Sequence, residues 1–91
     1  MIKVPGERCV GQVQLYALST CIWCRKAKRL LDENGIEYEY VYVDELSSEE
    51  RYKVLKKLKK LTDKVSFPIT VINGVGIKGF DADRIREACK L

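Results

Sequence analysis

Apolar and polar positions along the chain follow two periods, one typical of strands and one typical of helices. Residues 12–18 end in a continuous apolar run, which predicts a strand covered on both faces and central in a sheet. Residues 22–34 carry apolar side chains at helical spacing, and Asn34-Gly35 is a typical helix stop. Residues 37–43, rich in aromatic and β-branched side chains, predict a second strand. This order predicts a βαβ unit with parallel strands and a right-handed crossover.

A second helix is indicated after this unit. Ser47 and Glu50 have the spacing of a capping box, with Ser47 at the N-cap and Glu50 at the third helical position. Apolar residues then recur at helical spacing and mark the stripe predicted to be buried: Val54, Leu55, Leu58 and Leu61.

A hairpin and a third helix complete the pattern. Residues 69–72 predict a short strand, and Asn73-Gly74 is the favoured pair for a two-residue turn, so residues 75–78 should return antiparallel. Asp81 is the predicted N-cap of the last helix, whose buried residues are Ile85, Ala88 and Cys89.

The predicted fold class is therefore α/β, in the order β-α-β-α-β-β-α, with a four-stranded mixed sheet and three helices. We expect one domain over residues 12–91, preceded by an N-terminal extension over residues 1–11. The full length of 91 residues allows one small domain with a modest core.

Composition narrows the class of function. No apolar run reaches the length of a membrane span and the N-terminus lacks a signal-peptide core, so we expect a cytoplasmic protein without a membrane partner. Histidine is absent, which excludes Cys-His nucleophile pairs and His-containing metal sites. The net charge is +4, and basic residues crowd residues 51–64. This stretch predicts a solvated helix face. The same face could orient an acidic redox partner, and binding of nucleic acid is the less favoured alternative.

Two cysteines stand where the first strand gives way to the first helix. Cys21 lies at the open N-terminal end of the helix, where the positive end of the macrodipole stabilises a thiolate. Cys24 lies one turn further along and shares the core-facing side with Ala27 and Leu31. The pair predicts a redox dithiol in which Cys21 is the exposed nucleophile and Cys24 the shielded, resolving thiol.

The other two cysteines leave alternatives open. With Cys21 and Cys24, they could form a four-thiolate zinc or iron–sulfur site, although Cys89 is expected to be a small core residue beside Ile85. Cys9 is interpreted as a free surface thiol, or as an auxiliary redox group. A cytosolic environment keeps thiols reduced, so four cysteines do not predict a structural disulfide framework.

The order of elements and the dithiol together resemble the glutaredoxin family, a minimal form of the thioredoxin fold. The resemblance covers nearly all of residues 12–91. Cys21-Ile22-Trp23-Cys24 matches the family's Cys-X-X-Cys site, and Ser66-Phe67-Pro68 is similar to its loop ending in a cis-proline. Lys78-Gly79-Phe80-Asp81 is similar to the glycine turn and acidic helix start that follow the hairpin.

The resemblance implies a dithiol–disulfide oxidoreductase that reduces protein disulfides and acts as a monomer, with Cys21 and Cys24 as catalytic residues. It also implies a set of substrate contacts around them: Trp23, Phe67, Pro68, Gly79, Phe80 and Asp81. The backbone of Phe67 is expected to pair with an extended substrate segment, and Gly79 to permit close backbone approach. No cofactor is implied beyond the redox-active disulfide. The alternative function is a carrier of metal or of an iron–sulfur cluster bridged between two copies through Cys21.

Three positions differ from the members that use glutathione. Leu18 stands where those members have a lysine, Ile22 replaces the proline between the cysteines, and Lys78-Gly79-Phe80 lacks their paired glycines. The last segment looks closer to the NrdH-type redoxins. We therefore expect electrons from a protein reductase, of the thioredoxin-reductase or ferredoxin-linked type, with glutathione as the alternative reductant.

Overall fold

The structure is a computed structural model that describes residues 1–90. Its strands and α-helices are, in chain order, β1 (Ile2–Val4), β2 (Val13–Ala17), α1 (Ile22–Glu33), β3 (Tyr38–Tyr42), α2 (Ser48–Leu61), β4 (Ile69–Ile72), β5 (Val75–Lys78) and α3 (Ala82–Ala88). A short 3-10 turn, Val43–Glu45, joins β3 to α2. Within residues 1–90, no helix is long and apolar enough to cross a membrane.

The strands form one mixed sheet in the order β1-β3-β2-β4-β5. β2 and β3, which α1 connects, are parallel neighbours, whereas every other neighbouring pair of strands is antiparallel. β2 is central, as its apolar run predicts. The dithiol loop therefore leaves the C-terminal end of a strand that is paired on both edges.

The prediction of four strands was wrong, because β1 adds a fifth. Its residues pair antiparallel with β3, with Ile2 opposite Tyr40 and Val4 opposite Tyr38. Three residues are too few to show an alternation, and Pro5-Gly6 follows at once, so the sequence pattern gives no sign of a strand. The open edge of β3 supplies the pairing groups, and part of the N-terminal segment thus joins the sheet.

The two faces of the sheet carry separate hydrophobic clusters. α1 and α3 cover one face, where the buried residues of α1 pack with Ile85 of α3 and with Cys89 at its C-cap. α2 covers the other face through Leu58, which packs with Tyr16, Ile69 and their neighbours. The burial of Cys89 confirms its predicted position in the core.

The predicted helix starts and the hairpin turn are confirmed. Ser47 caps α2 by accepting the Glu50 N–H at 3.2 Å, and Asp81 caps α3 by accepting the Arg84 N–H at 3.1 Å. In the turn, Asn73 and Gly74 have φ angles of 50° and 85°. Positive φ at both central residues is the geometry that matches the twist of a two-residue hairpin.

Candidate active site

Cys21 begins α1 and is held there by the backbone on both sides. It is the N-cap residue, and its Sγ accepts the Cys24 N–H at 3.2 Å. Its own N–H donates to the Leu18 carbonyl at 3.2 Å, which closes the turn between β2 and the helix. The side chain is half-buried. Cys21 Sγ therefore lies at a helix N-terminus, where N–H groups and the macrodipole favour negative charge, and it remains open to solvent on one side.

Cys24 is enclosed by contrast. Its side chain is 2% exposed and belongs to the cluster that contains Ala27 and Leu31. Burial raises the pKa of the Cys24 thiol to about 12, and the hydrogen bond between the Cys24 and Cys21 side chains adds to this shift. The Leu18 N–H at 3.5 Å from Cys24 Sγ opposes this shift. Because both cysteines are free thiols in this structure, Cys24 is a protonated, shielded thiol beside an accessible one.

The Phe67-Pro68 segment lies beside the dithiol end of the sheet. The peptide bond between these residues is cis, as expected, and Pro68 is fully buried. Ile69 is in register with Tyr16, which places Pro68 next to the C-terminal end of β2. Phe67 is half-buried and contacts both hydrophobic clusters.

Gly79 connects this segment to the loop before α3. Its N–H donates to the Pro68 carbonyl at 2.7 Å, and its φ is 77°. Within the described chain, a Cβ at Gly79 would meet nothing within 4 Å, so the expected close backbone approach there stays a prediction about a bound substrate. The positive φ is instead the reason that glycine fits this turn.

An aromatic pair, with Trp23 exposed and Phe80 half-buried, lies between the first turn of α1 and the loop before α3. Trp23 and Phe80 stack with ring centroids 6.1 Å apart, and Lys26 Nζ lies 4.3 Å from the centroid of the Trp23 ring. Trp23 is 55% exposed and Ile22 is 65% exposed, so both offer apolar surface to solvent beside Cys21. Asp81 follows Phe80, and its carboxylate caps α3. The fold thus brings Trp23 and Phe80, distant in sequence, onto one surface.

A polar network that the sequence analysis missed supports the loop before Cys21. The N–H of Ser19 donates to Asp44 Oδ1 at 2.9 Å, and its hydroxyl donates to Asp44 Oδ2. These bonds hold the pKa of Asp44 below its ordinary value. Arg51 of α2 donates to the carbonyls of Val43, Asp44 and Leu46, fixing the turn that carries Asp44. In the sequence, Asp44 is an acidic residue two positions after the end of β3, and this local pattern does not identify Ser19 as its partner.

The four cysteines divide into two groups at opposite ends of β2. Cys21 follows its C-terminal end, whereas Cys9 precedes its N-terminal end. A strand of five residues such as β2 is about 17 Å long. Cys89 lies with Cys9 along one surface depression. A site built from all four thiolates of one chain is therefore not formed, since zinc–sulfur bonds are about 2.3 Å long.

Comparison with known proteins agrees with this geometry. The Glutaredoxin family model matches residues 13–77. Glutaredoxin 1 of Rickettsia felis is 37% identical over 68 residues, a match that covers 75% of this chain and 64% of that protein. The chain thus spans less than two thirds of that relative's length.

Two solved structures are similar over most of the chain. The glutaredoxin of Methanosarcina mazei Go1 has a TM-score of 0.91 at 40% identity, covering 98% of this chain and 86% of that one. Methanoredoxin of Methanosarcina acetivorans has a TM-score of 0.87 at 42% identity, with 91% and 88% covered. A mixed sheet with a Cys-X-X-Cys helix start defines a thioredoxin-superfamily protein. The chain belongs to the glutaredoxin family.

Proposed function

We propose that the chain reduces protein disulfides by thiol–disulfide exchange at Cys21 and Cys24. The observation that carries this proposal is the unequal environment of the two thiols. Cys21 Sγ is accessible at the helix N-terminus, whereas Cys24 is 2% exposed and its pKa is raised by burial. An accessible thiolate attacks first, and a protonated neighbour is held in reserve for the second step.

The exchange proceeds in two displacements. The Cys21 thiolate attacks one sulfur of the target disulfide, forming a mixed disulfide and expelling the first target thiolate, which takes up a proton. Cys24 then loses its proton and attacks Cys21 Sγ, which breaks the mixed disulfide and expels the second target thiol. The target gains two electrons, and the chain is left with a Cys21–Cys24 disulfide. An external reductant returns the two electrons in the next half-cycle.

The surroundings of the dithiol support a protein as the substrate. The stacked Trp23 and Phe80 and the exposed Ile22 offer an apolar surface next to Cys21. The Phe67 backbone, ahead of the cis bond, is the proposed pairing edge for an extended segment that carries the disulfide. Apolar rings and backbone pairing recognise a polypeptide without requiring one particular side chain.

The proposed electron donor is a protein reductase in the cytoplasm, of the thioredoxin-reductase or ferredoxin-linked type. Leu18 supports this, because its side chain packs against the α2 face and brings no cation to the loop before Cys21. A glutathione carboxylate would lack the lysine partner that glutathione-using relatives place there. The exposed lysines of α2 are available to orient an acidic reductase.

A reductase panel tests both parts of the proposal. Oxidised wild-type protein is offered glutathione with its reductase, NADPH with thioredoxin reductase, and a ferredoxin-linked reductase, while NADPH or ferredoxin oxidation is recorded with insulin as the disulfide substrate. We expect a protein reductase to drive insulin reduction. Fast turnover with glutathione alone would overturn the choice of donor.

Matched serine variants test the roles of the two thiols. Cys21→Ser should abolish insulin reduction, whereas Cys24→Ser should trap a mixed disulfide with the target, detectable by mass spectrometry. Cys9→Ser, which changes a thiol distant from the site, is the control. Turnover by Cys21→Ser at the parental rate would contradict the mechanism.

A further inference from the structure

A second pair of thiols lies at the end of the sheet opposite the dithiol. Cys9 belongs to the segment before β2, and Cys89 is the C-cap residue of α3. Both line one depression of about 510 Å³, together with Arg8, Val10, Asn73 and Lys90. The proposed dithiol mechanism uses neither of them.

The segment that carries Cys9 is fixed on both sides. Before it, the Arg8 N–H donates to the Gly35 carbonyl at 2.9 Å, and the Arg8 carbonyl accepts the Glu37 N–H at 2.8 Å. After it, Asn73 Nδ2 donates to the Val10 carbonyl at 3.2 Å, and Asn73 Oδ1 accepts the Gln12 N–H at 2.9 Å. These bonds hold the segment against the sheet end, so Cys9 stays at the rim of the depression that Cys89 also lines.

The two thiols differ in the same sense as the catalytic pair. Cys9 is exposed, whereas Cys89 is 1% exposed and burial raises its pKa. Arg8 and Lys90 also line the depression and give it positive charge, which attracts anions. The depression is large enough for a small disulfide to enter beside Cys9. The accessible member is thus placed to react first.

We infer that Cys9 and Cys89 form a second thiol–disulfide exchange site, which is oxidised by low-molecular-weight disulfides. The Cys9 thiolate attacks a disulfide RSSR, which forms the mixed disulfide Cys9–S–SR and releases one RSH after protonation. Cys89 then loses its proton and attacks Cys9 Sγ, which forms Cys9–Cys89 and releases the second RSH. Two protein thiols are oxidised and one RSSR is reduced to two RSH.

The second displacement requires Cys89 to turn outward, and its position allows this. Cys89 follows the last residue of α3, and its N–H bonds the Ile85 carbonyl at 3.0 Å, so an opening confined to the final turn frees it. Helix ends are among the parts of a fold that open most readily. The resulting disulfide would connect the N-terminal segment covalently to the end of α3, although Cys9 and Cys89 are separated by most of the chain.

The inference is tested on the Cys21→Ser/Cys24→Ser variant, which keeps the second pair and lacks the dithiol. The reduced variant is treated with 2-hydroxyethyl disulfide, excess reagent is removed, and thiols are counted under denaturing conditions. We expect both remaining thiols to be lost, with release of two mercaptoethanol molecules per chain and a mass lower by two hydrogens. After digestion without reduction, the peptide that contains Cys9 should be found linked to the peptide that contains Cys89.

Two further variants in the same background separate the steps. Adding Cys89→Ala should leave a stable mercaptoethanol adduct on Cys9, whereas adding Cys9→Ser should leave Cys89 unmodified. A persistent adduct with Cys89 present, a Cys9–Cys9 dimer, or no reaction would each overturn the inference. Circular dichroism checks that each variant is folded.

The same linkage is sought in the wild-type chain, which makes the test independent of those variants. Trypsin with chymotrypsin separates Cys9 from Cys21, because Leu15 and Tyr16 lie between them. Failure of insulin reduction would leave this result unchanged, since the linkage forms without the dithiol. A wild-type chain that loses only the Cys21 and Cys24 thiols would contradict the inference.

Discussion

The two faces of the sheet are covered to very different depths. α1 has 12 residues and buries Cys24, Ala27, Leu30 and Leu31, whereas α2 has 14 residues and buries Leu58 as its one fully enclosed side chain. The dithiol thus belongs to the helix with the deeper packing. A redox pair needs two sulfurs in fixed relative positions, and a buried helical stripe supplies that rigidity more reliably than loop contacts.

The lightly packed face contributes to the site in another way. α2 sends Arg51 to three carbonyls around the turn that carries Asp44, and Asp44 in turn holds Ser19. One face therefore fixes Cys24 by apolar packing, and the other supports the loop before Cys21 by hydrogen bonds. Because packing and exposed hydrogen bonds differ in energy, substitutions on the two faces should have unequal effects.

The largest expected effect is a difference in the free energy of unfolding between Leu31→Ala on the α1 face and Leu55→Ala on the α2 face. Leu31 is fully enclosed, so its truncation should lower the free energy of unfolding by about 2–5 kcal/mol. Leu55 is half-buried against the α2 face, and its truncation should cost about half as much. Urea unfolding of the reduced proteins measures both values. Equal losses would show that the faces are packed alike.

Several of the features compared here could be predicted from the sequence. The helical period of α1 gave the buried positions of Cys24 and Leu31, and the capping pattern gave Ser47 as a helix start. Both signals are local. β1 could not be predicted, because its three residues become a strand only through the free edge of β3. The same holds for Asp44 and Ser19, 25 positions apart, and for the shared depression of Cys9 and Cys89.

The support from the α2 face is tested by Asp44→Ala. This change removes both acceptors of Ser19 and frees the loop before Cys21, so insulin reduction should slow by up to about 100-fold, the effect of a small misplacement of reacting groups. Stopped-flow reduction of the chain's own disulfide provides a second measurement. Glu45→Ala, at the neighbouring exposed position, is the control. Identical rates for the two variants would remove Asp44 from the loop's support.

The buried thiol of the α1 face predicts a dependence of stability on pH. The ordinary thiol pKa near 9.0 is raised to about 12 at Cys24, chiefly by burial. Between these two pH values the folded state keeps a proton that the unfolded chain loses. The contribution of Cys24 to the free energy of unfolding is therefore complete below pH 9 and is lost as pH rises toward 12.

The reduced wild-type protein should lose stability over that range more steeply than Cys24→Ala, by at most about 1.4 kcal/mol per pH unit. Urea unfolding at a series of alkaline pH values measures the two slopes, and the residues that titrate in both proteins cancel in the difference. Parallel slopes would mean that Cys24 ionises in the folded state as easily as in the unfolded one.

The smallest effect concerns a polar residue within the densely packed face. Thr70 is fully buried, in register with Leu15, and its hydroxyl has no hydrogen-bond partner among residues 1–90. Thr70→Val keeps the shape of the side chain and removes the unpaired hydroxyl, so the free energy of unfolding should rise by about 1 kcal/mol. Thr62→Val is the matched control, because the Thr62 hydroxyl donates to the Leu58 carbonyl at 3.2 Å and its loss should destabilise the protein. Thermal and urea unfolding compare the two variants. If Thr70→Val also destabilised the chain, the hydroxyl would have a partner, and the α1 face would depend on polar contacts as the α2 face does.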